Sequence, residues 1–418
     1  MRDYLTILGA GLAGSEAAWQ AAERGVSVVL YEMRPVKPTP AHKTDHCAEL
    51  VCSNSLGNNQ SPSAPHLLKE ELRKFNSLVI DAGDTHAVPA GAALAVDREL
   101  FSKKITEQLL KHPNITLIRE EVTEIPSEGP VIVATGPLTS PRLSESISRL
   151  IGQEYLYFYD AISPIVDANT INYDKTFFAS RYDKGTDDYL NCPLNEGQYY
   201  SLVNELKNGE KVPFKSFEKP IYFEGCMPVE ELAMRGDKTL AFGPLKPVGL
   251  LHPETKEQFY AVVQLRHENK EGTAFNLVGF QTKLTYPEQK RVIRLIPGLE
   301  NVEFFRFGAI HRNTYINAPD VLSCELDLKK NSGIYFAGQI IGVEGYVESV
   351  SMGLLAALSA VKRIKGEVYS TPPVDTALGS LLKYVTETRR QSFQPMNINY
   401  GLFQVHEMKI RNKRERNK

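Results

Sequence analysis

The sequence predicts an α/β protein in which a parallel, nucleotide-binding sheet is interrupted by a smaller inserted domain of mixed α/β structure. Three observations predict it. A glycine cluster, Gly9-Ala10-Gly11-Leu12-Ala13-Gly14, follows an apolar run at residues 4–8 and precedes a helix-forming stretch at 15–24. A second apolar run at 130–134 ends in Thr135-Gly136, and a third at 333–338 ends in Ala337-Gly338. Short apolar strands that stop on glycine loops are the grammar of parallel sheets, whose strands are covered on both faces and handed on to helices.

Each element has its own reason. Residues 4–8 read as a central strand and 26–31 as its parallel neighbour, ending on Glu32, 18 residues beyond Gly14. Strand, glycines, helix and second strand in that order make a Rossmann-like unit, far more specific than the glycines alone. Gly9 permits the turn off the strand, Gly11 lets backbone approach a pyrophosphate, and Gly14 allows close helix packing, with Ala10, Leu12 and Ala13 completing the loop. The diphosphate then rests on the helix N-terminus, and Glu32 is placed to accept a ribose 2′-OH.

A turn-rich loop is expected over 53–65, helices over 66–75 and 97–111 with Asp97 as N-cap, and a strand over 115–120. The 130–134 and 333–338 strands should join the first sheet. Gly342 and Gly345 precede a helix expected over 346–365, whose N-terminus would face the nucleotide edge with Gly338. Residues 155–286 have another texture, with aromatics and short alternating runs such as 259–265, and no glycine loop. The predicted domains are therefore 1–150 and 291–418, two parts of the nucleotide-binding domain, and 151–290 inserted between them.

Composition bounds the rest. With 418 residues, 42% hydrophobic and 23% charged, the chain reads as globular and long enough for two or three domains. No apolar run reaches membrane length and a strand begins at Tyr4, so a cytoplasmic protein without a signal peptide is expected. A net charge of −2 gives no global sign of nucleic-acid binding; the basic tail at 409–418 is expected to be a solvated end. Five cysteines, an odd and sparse set, are expected to be free thiols.

One fingerprint leaves NAD and FAD both open, because each presents an ADP half to the same glycines. The loops at Thr135-Gly136 and Gly338 favour FAD. At this point the wider sequence resembles one family, the folate- and FAD-dependent tRNA (uracil-5-)-methyltransferases. The resemblance spans nearly the whole chain. It is carried by GAGLAGSEAAWQ (9–20), YEMRP (31–35), AELVCSNS (48–55), VPAGAALAVDRELFS (88–102), VIVATGPLTS (131–140) and YLYFYDAISPIV (155–166). It continues through SRYDKG (180–185), FEGCMPVEELAMRG (223–236), FGPLKPVGL (242–250), HRNTYIN (311–317), FAGQIIGVEGYVES (336–349) and FQPMNINYGL (393–402). A related flavoprotein that modifies wobble uridines is substantially longer, which argues against it.

The resemblance implies a reaction. A T-loop uridine of tRNA (U54) is methylated at C5, with methylenetetrahydrofolate as one-carbon donor and FAD, reduced by NADH or NADPH, as carrier and reductant. Uracil C5 becomes nucleophilic only after a nucleophile adds at C6, and Cys226 is the implied nucleophile. Pro228 suits the first turn of a helix over 228–235, whose N-terminal dipole is expected to favour the Cys226 thiolate. Cys52 is similar to the family's second functional cysteine, which either holds the flavin-bound one-carbon unit or removes the C5 proton. His311, Arg312 and Asn313 are candidate folate contacts, and Arg181 and Lys246 candidate RNA contacts. The absence of a second glycine fingerprint implies a shallow or shared NAD(P)H site.

Rival readings remain at this point. Cys47 and Cys52 have the C-x4-C spacing of flavin disulfide reductases, although the flanking glycines and a C-terminal His-x4-Glu are missing. His42, His46, Cys47 and Cys52 could bind zinc but are compressed for tetrahedral closure, so no metal is expected. The same chemistry on ribosomal RNA, and RNA binding without chemistry, also stay open.

Overall fold

The computed structural model describes residues 4–39, 41–127, 129–183, 186–213, 222, 226–388 and 393–403. The basic tail at 409–418 and Phe223-Glu224-Gly225 of the cysteine motif lie outside them.

The chain begins as expected. Tyr4–Leu8 pairs in parallel with Ser27–Glu32, Leu5 opposite Val28 and Leu8 opposite Tyr31. The full sheet runs in the order Asp327–Leu328, Asn331–Phe336, Val131–Val133, Tyr4–Leu8, Ser27–Glu32, Ile115–Arg119. Both glycine-terminated strands thus join the glycine-cluster strand, and only the Asp327–Leu328 edge is antiparallel. Leu5, Ile7, Val131, Ile132 and Val133 are fully buried, as strands covered on both faces must be.

Close packing sets the glycines. A Cβ on Gly14 would lie 1.8 Å from the Gly9 carbonyl oxygen, so the helix Leu12–Ala22 could not approach its strand with any side chain there. The helix Tyr346–Ile364 crosses that helix as tightly: a Cβ on Gly353 would sit 2.2 Å from the Ala13 oxygen.

A second core collects residues between Val166 and Val302. Its sheet is antiparallel throughout, ordered Phe177–Phe178, Tyr189–Leu194, Ala261–His267, Ala274–Leu277, Ile165–Asp167, Phe304–Arg306. An antiparallel ribbon, Leu156–Ala161 against Ile310–Tyr315, carries the chain out to this sheet and back.

Two expectations change in detail. The turn-rich stretch 53–65 contains the strand Ser55–Asn58, which pairs with Ala93–Val96; its partner is remote, so local turn formers concealed it. The helix after Cys226 spans only Val229–Met234, with Pro228 as its N-cap. Among the described residues no helix is long and apolar enough to cross a membrane.

Candidate active site

The carboxyl ends of the parallel strands open on a cavity. Gly9, Gly11, Leu12, Ala13, Glu32, Thr135, Gly136 and Gly338 all line it. Gly11 and Gly136 are the open positions of the wall, where an added Cβ would meet no protein atom within 4 Å. That is a cradle shaped for a ligand pressed against backbone, as a dinucleotide pyrophosphate requires.

Ala10 and Gly14 stand behind the wall. The Ala10 N–H donates to Glu32 Oε2 at 3.1 Å, and Gly14 packs on Gly9. Glu32 also accepts from the backbone N–H of Arg34 at 3.0 Å and from its Nε at 2.9 Å, both on Oε1. Burial alone would raise the Glu32 carboxyl, but the Arg34 hydrogen bond and charge hold it below the usual range. Glu32 lines the cavity, and a carboxylate oxygen that accepts one bond has capacity for a ribose hydroxyl as well. Gly342 and Gly345 do not reach the wall. A Cβ at Gly342 would strike the Phe393 ring at 2.3 Å and one at Gly345 the Glu348 carboxylate at 2.1 Å, so packing accounts for both.

Beside this cleft four segments bring together sulfur and carboxylate. Ligand atoms of Asp160, Cys226 and Glu344 lie within 4.8 Å of one another, and the Cys52 side chain stands next to Cys226, close enough to raise its thiol. Tyr346 and Gln339 connect the cluster to the cleft, which both line. The Cys52 N–H donates to the Tyr346 hydroxyl at 2.8 Å, and Gln339 Nε2 donates to Glu344 Oε2 at 2.8 Å. The buried Arg98 guanidinium grips the backbone of the Cys52 loop, donating to the carbonyls of Leu50 and of Cys52, while its Nε meets Glu268 at 2.5 Å. Arg306 adds a bond to the Val51 carbonyl at 2.5 Å.

Electrostatics here run against one expectation. The Cys226 thiol is pushed well above its ordinary value by the Cys52 hydrogen bond, by burial, and by the charges of Asp160, Cys52 and Glu344. The six-residue helix that follows is too short for its dipole to prevail over these neighbours, so the thiol is not ionised in place. Burial raises Glu344 well above the carboxylate range, with Asp160 adding to it and Gln339 opposing. Asp160 is pushed up to about 6 by burial, against hydrogen bonds from Cys226 and Asn313.

The 311–313 strand divides its three candidates. Asn313 is buried at Asp160, and His311, paired in register with Asp160, lines a second cavity. His311 is held below its ordinary value, and so neutral, by burial and by the Arg306 charge. Arg312 points the other way, its guanidinium 4.3 Å from the centre of the Tyr157 ring. Arg181 is occupied inside the second sheet, bonding Gln264 and the Val248 carbonyl, whereas Lys246 is exposed.

The rival sites do not form. Cys47 is fully buried, with its thiol pushed up to about 11 by burial, and the sulfur beside Cys52 is that of Cys226. His42, His46, Cys47 and Cys52 make no ligand group among the described residues. All five cysteines are free. Asp160, Glu344, Tyr346, Arg98 and Arg306 do not stand out in the sequence, although all but Arg306 lie inside the motifs that carry the family resemblance. Apolar and glycine residues around them give no sign that these side chains meet.

The family described as glucose inhibited division protein A matches residues 4–368. The chain belongs to that family. Within it, the chain is 58% identical over 414 residues to the methylenetetrahydrofolate--tRNA-(uracil-5-)-methyltransferase TrmFO of Natranaerobius thermophilus, covering 99% of this chain and 96% of that one. The TrmFO of Bacillus subtilis is 55% identical over 413 residues, with coverage of 99% and 95%. Among solved structures, Aquifex aeolicus GidA superposes with a TM-score of 0.70 at 18% identity over 92% of this chain and 67% of the other. That likeness establishes the shared α/β architecture, and the GidA chain is the longer of the two.

Proposed function

We propose that this chain methylates C5 of a tRNA uridine, the T-loop U54, using methylenetetrahydrofolate as the one-carbon donor, with FAD in the glycine-walled cleft. The observation that carries this reading is the contact between Cys52 and Cys226 at the edge of that cleft. The names of the full-length relatives support the substrate and donor. Gly9, Gly11, Thr135, Gly136 and Gly338 would hold the cofactor by backbone contact, and Glu32 its ribose. Reduced by NADH or NADPH, a flavin bound there supplies hydride and a carrier for the one-carbon unit.

The remaining steps belong to the protein's side chains. Cys226 Sγ adds to C6 of an extruded uracil and moves the C5=C6 electron pair towards O4, which makes C5 nucleophilic. Cys52, held by Tyr346 and Arg98, works on the cofactor side, removing the C5 proton or steadying the one-carbon unit. Loss of that proton then expels the Cys226 sulfur. His311 and Asn313 face the folate side, and Arg312 lies outside it. In this reading 1–150 and 291–418 hold the cofactor, 151–290 faces the RNA with Lys246 on its surface, and the enzyme works in the cytoplasm.

The test supplies purified protein with NADH or NADPH, methylenetetrahydrofolate and either tRNA or ribosomal RNA. 5-Methyluridine in tRNA is expected. Product from S-adenosylmethionine alone would sink the folate assignment, and product in ribosomal RNA only would move the substrate.

A further inference from the structure

The nucleophile assigned above faces a chemical obstacle. Thiolate, not thiol, adds to C6, yet Cys52, burial, Asp160 and Glu344 all oppose ionisation of Cys226. The proton must therefore leave during the addition, to a base already in contact with the sulfur. Asp160, Glu344 and Cys52 lie about it, with Tyr346 behind Cys52. Glu344 is buried, its Oε2 already accepts from Gln339 Nε2 at 2.8 Å, and burial together with Asp160 pushes its carboxyl well above the ordinary range. The Tyr346 phenol is raised by burial and already accepts the Cys52 N–H at 2.8 Å, and Cys52 offers a second sulfur and no oxygen base. Asp160 remains.

We propose that Asp160 is the base that takes the Cys226 thiol proton as sulfur adds to uracil C6. It returns the proton when the sulfur leaves. The inference rests on the methyltransferase reading above. The geometry favours Asp160 because a carboxylate oxygen lies within 4.8 Å of Cys226 Sγ, while its Oδ1 is buried with no hydrogen-bond partner. Asn313 and the Ala161 backbone hold the carboxyl in place, on a ribbon strand paired in register with Ile310–Tyr315.

The step balances. The S–H bond breaks and the proton goes to Asp160; the S–C6 bond forms and the C5=C6 pair becomes the enolate. At elimination the S–C6 bond breaks, its electrons return to sulfur, and Asp160 gives its proton back. Two carboxyls so close cannot both ionise cheaply, and because Glu344 is pushed well above the carboxylate range the negative charge falls to Asp160. With a carboxyl pushed to about 6, Asp160 is charged at neutral pH and matched in basicity to its task. Cys226, Asn313, Glu344, Tyr346 and cross-strand His311 are the groups that face it.

The experiment compares the full-length FAD-loaded protein with its Asp160→Asn and Asp160→Glu forms. The first readout is Cys226 alkylation by iodoacetamide from pH 5 to 10, followed by peptide mass spectrometry, which needs neither folate nor RNA. Wild-type reactivity should rise through about pH 6. In Asp160→Asn that limb should move above about pH 8, nearer an unassisted thiol, with methylation at pH 7 down about 10²–10⁴-fold. Asp160→Glu should restore the low limb in part, and retained flavin absorbance certifies the fold of each variant. A limb that stays near pH 6 in Asp160→Asn would overturn the proposal, as would an equal loss at every pH or a stoichiometric divalent ion on metal analysis. A shifted limb with no 5-methyluridine from the wild type would support the proton transfer while sinking the methyltransferase reading.

Discussion

At the glycine edge, residues 9–14 act through what they lack: a bare Gly11 opens the wall and a bare Gly14 lets the helix close on its strand. At the thiol cluster, four side chains from four distant segments act through what they carry, and each shifts the protonation of the next. The first is a local backbone device that works in one stretch of chain. The second exists only after both sheets and the ribbon between them are assembled. Binding and chemistry on one cleft are therefore separable, and substitutions should separate them.

The largest expected effect is at the cluster. Cys226→Ser should abolish 5-methyluridine formation while leaving flavin absorbance and melting temperature near wild type, because the sulfur touches the substrate and not the cofactor wall. Residual methylation would mean that another group adds to C6. Next in size is Arg34→Ala, at the point where the glycine edge departs from pure backbone. It leaves Glu32 buried without its cation, at a cost of about 3–5 kcal/mol in denaturant unfolding at pH 7.

That cost has a pH signature with a definite sign. Because Glu32 is held below its ordinary 4.5, its pairing contributes stability above that pH and loses it as pH falls through the lower folded value. The gap between wild type and Arg34→Ala should thus be widest at neutral pH and begin to narrow above 4.5 on acidification, because burial raises the unpaired carboxyl and protonation relieves it. A gap independent of pH would show that Arg34 acts by packing alone.

A smaller effect is expected at Arg98→Lys. The charge survives, but a lysine cannot hold Glu268 and the Leu50 and Cys52 carbonyls together, so about 1.5–3 kcal/mol of charged hydrogen bonding is at stake. Methylation should fall with it as the Cys52 loop loosens, whereas flavin content should stay constant. Loss of flavin in this variant would erase the separation of the two regions.

The same contrast explains what was legible in the sequence. The strand–glycine–helix–strand order was readable because each signal lies within a few residues of the next, and Thr135-Gly136 and Gly338 were readable because they repeat it. Asp97 was readable as an N-cap; its side chain accepts from Leu100 N–H. Asp160 was not readable, since an aspartate in an aromatic strand gives no sign that Cys226 will be folded against it. Gly342 and Gly345 carry a second reason that the sequence did not show. A positive φ and a close neighbour demand glycine whether or not a ligand is near, and at both positions the neighbour is protein. Cys226 likewise depended on family resemblance, because the short helix beside it predicts the opposite protonation from the one its carboxylate neighbours impose.

The finest test lies within the glycine loop itself, where two chemically identical changes should fail differently. Gly14→Ala places a methyl 1.8 Å from the Gly9 oxygen, so strand and helix must move apart, at about 1–3 kcal/mol of overpacking, and flavin is lost as a consequence. Gly11→Ala meets no protein atom within 4 Å, and its φ of −71° suits alanine, so the melting of flavin-free protein should change by less than about 0.5 kcal/mol. Flavin retention should nevertheless fall, because the methyl stands where the pyrophosphate must approach the backbone. Comparing flavin-free melting with flavin titration in both variants resolves the two cases. If Gly11→Ala binds flavin as wild type does, the diphosphate does not lie against Gly11.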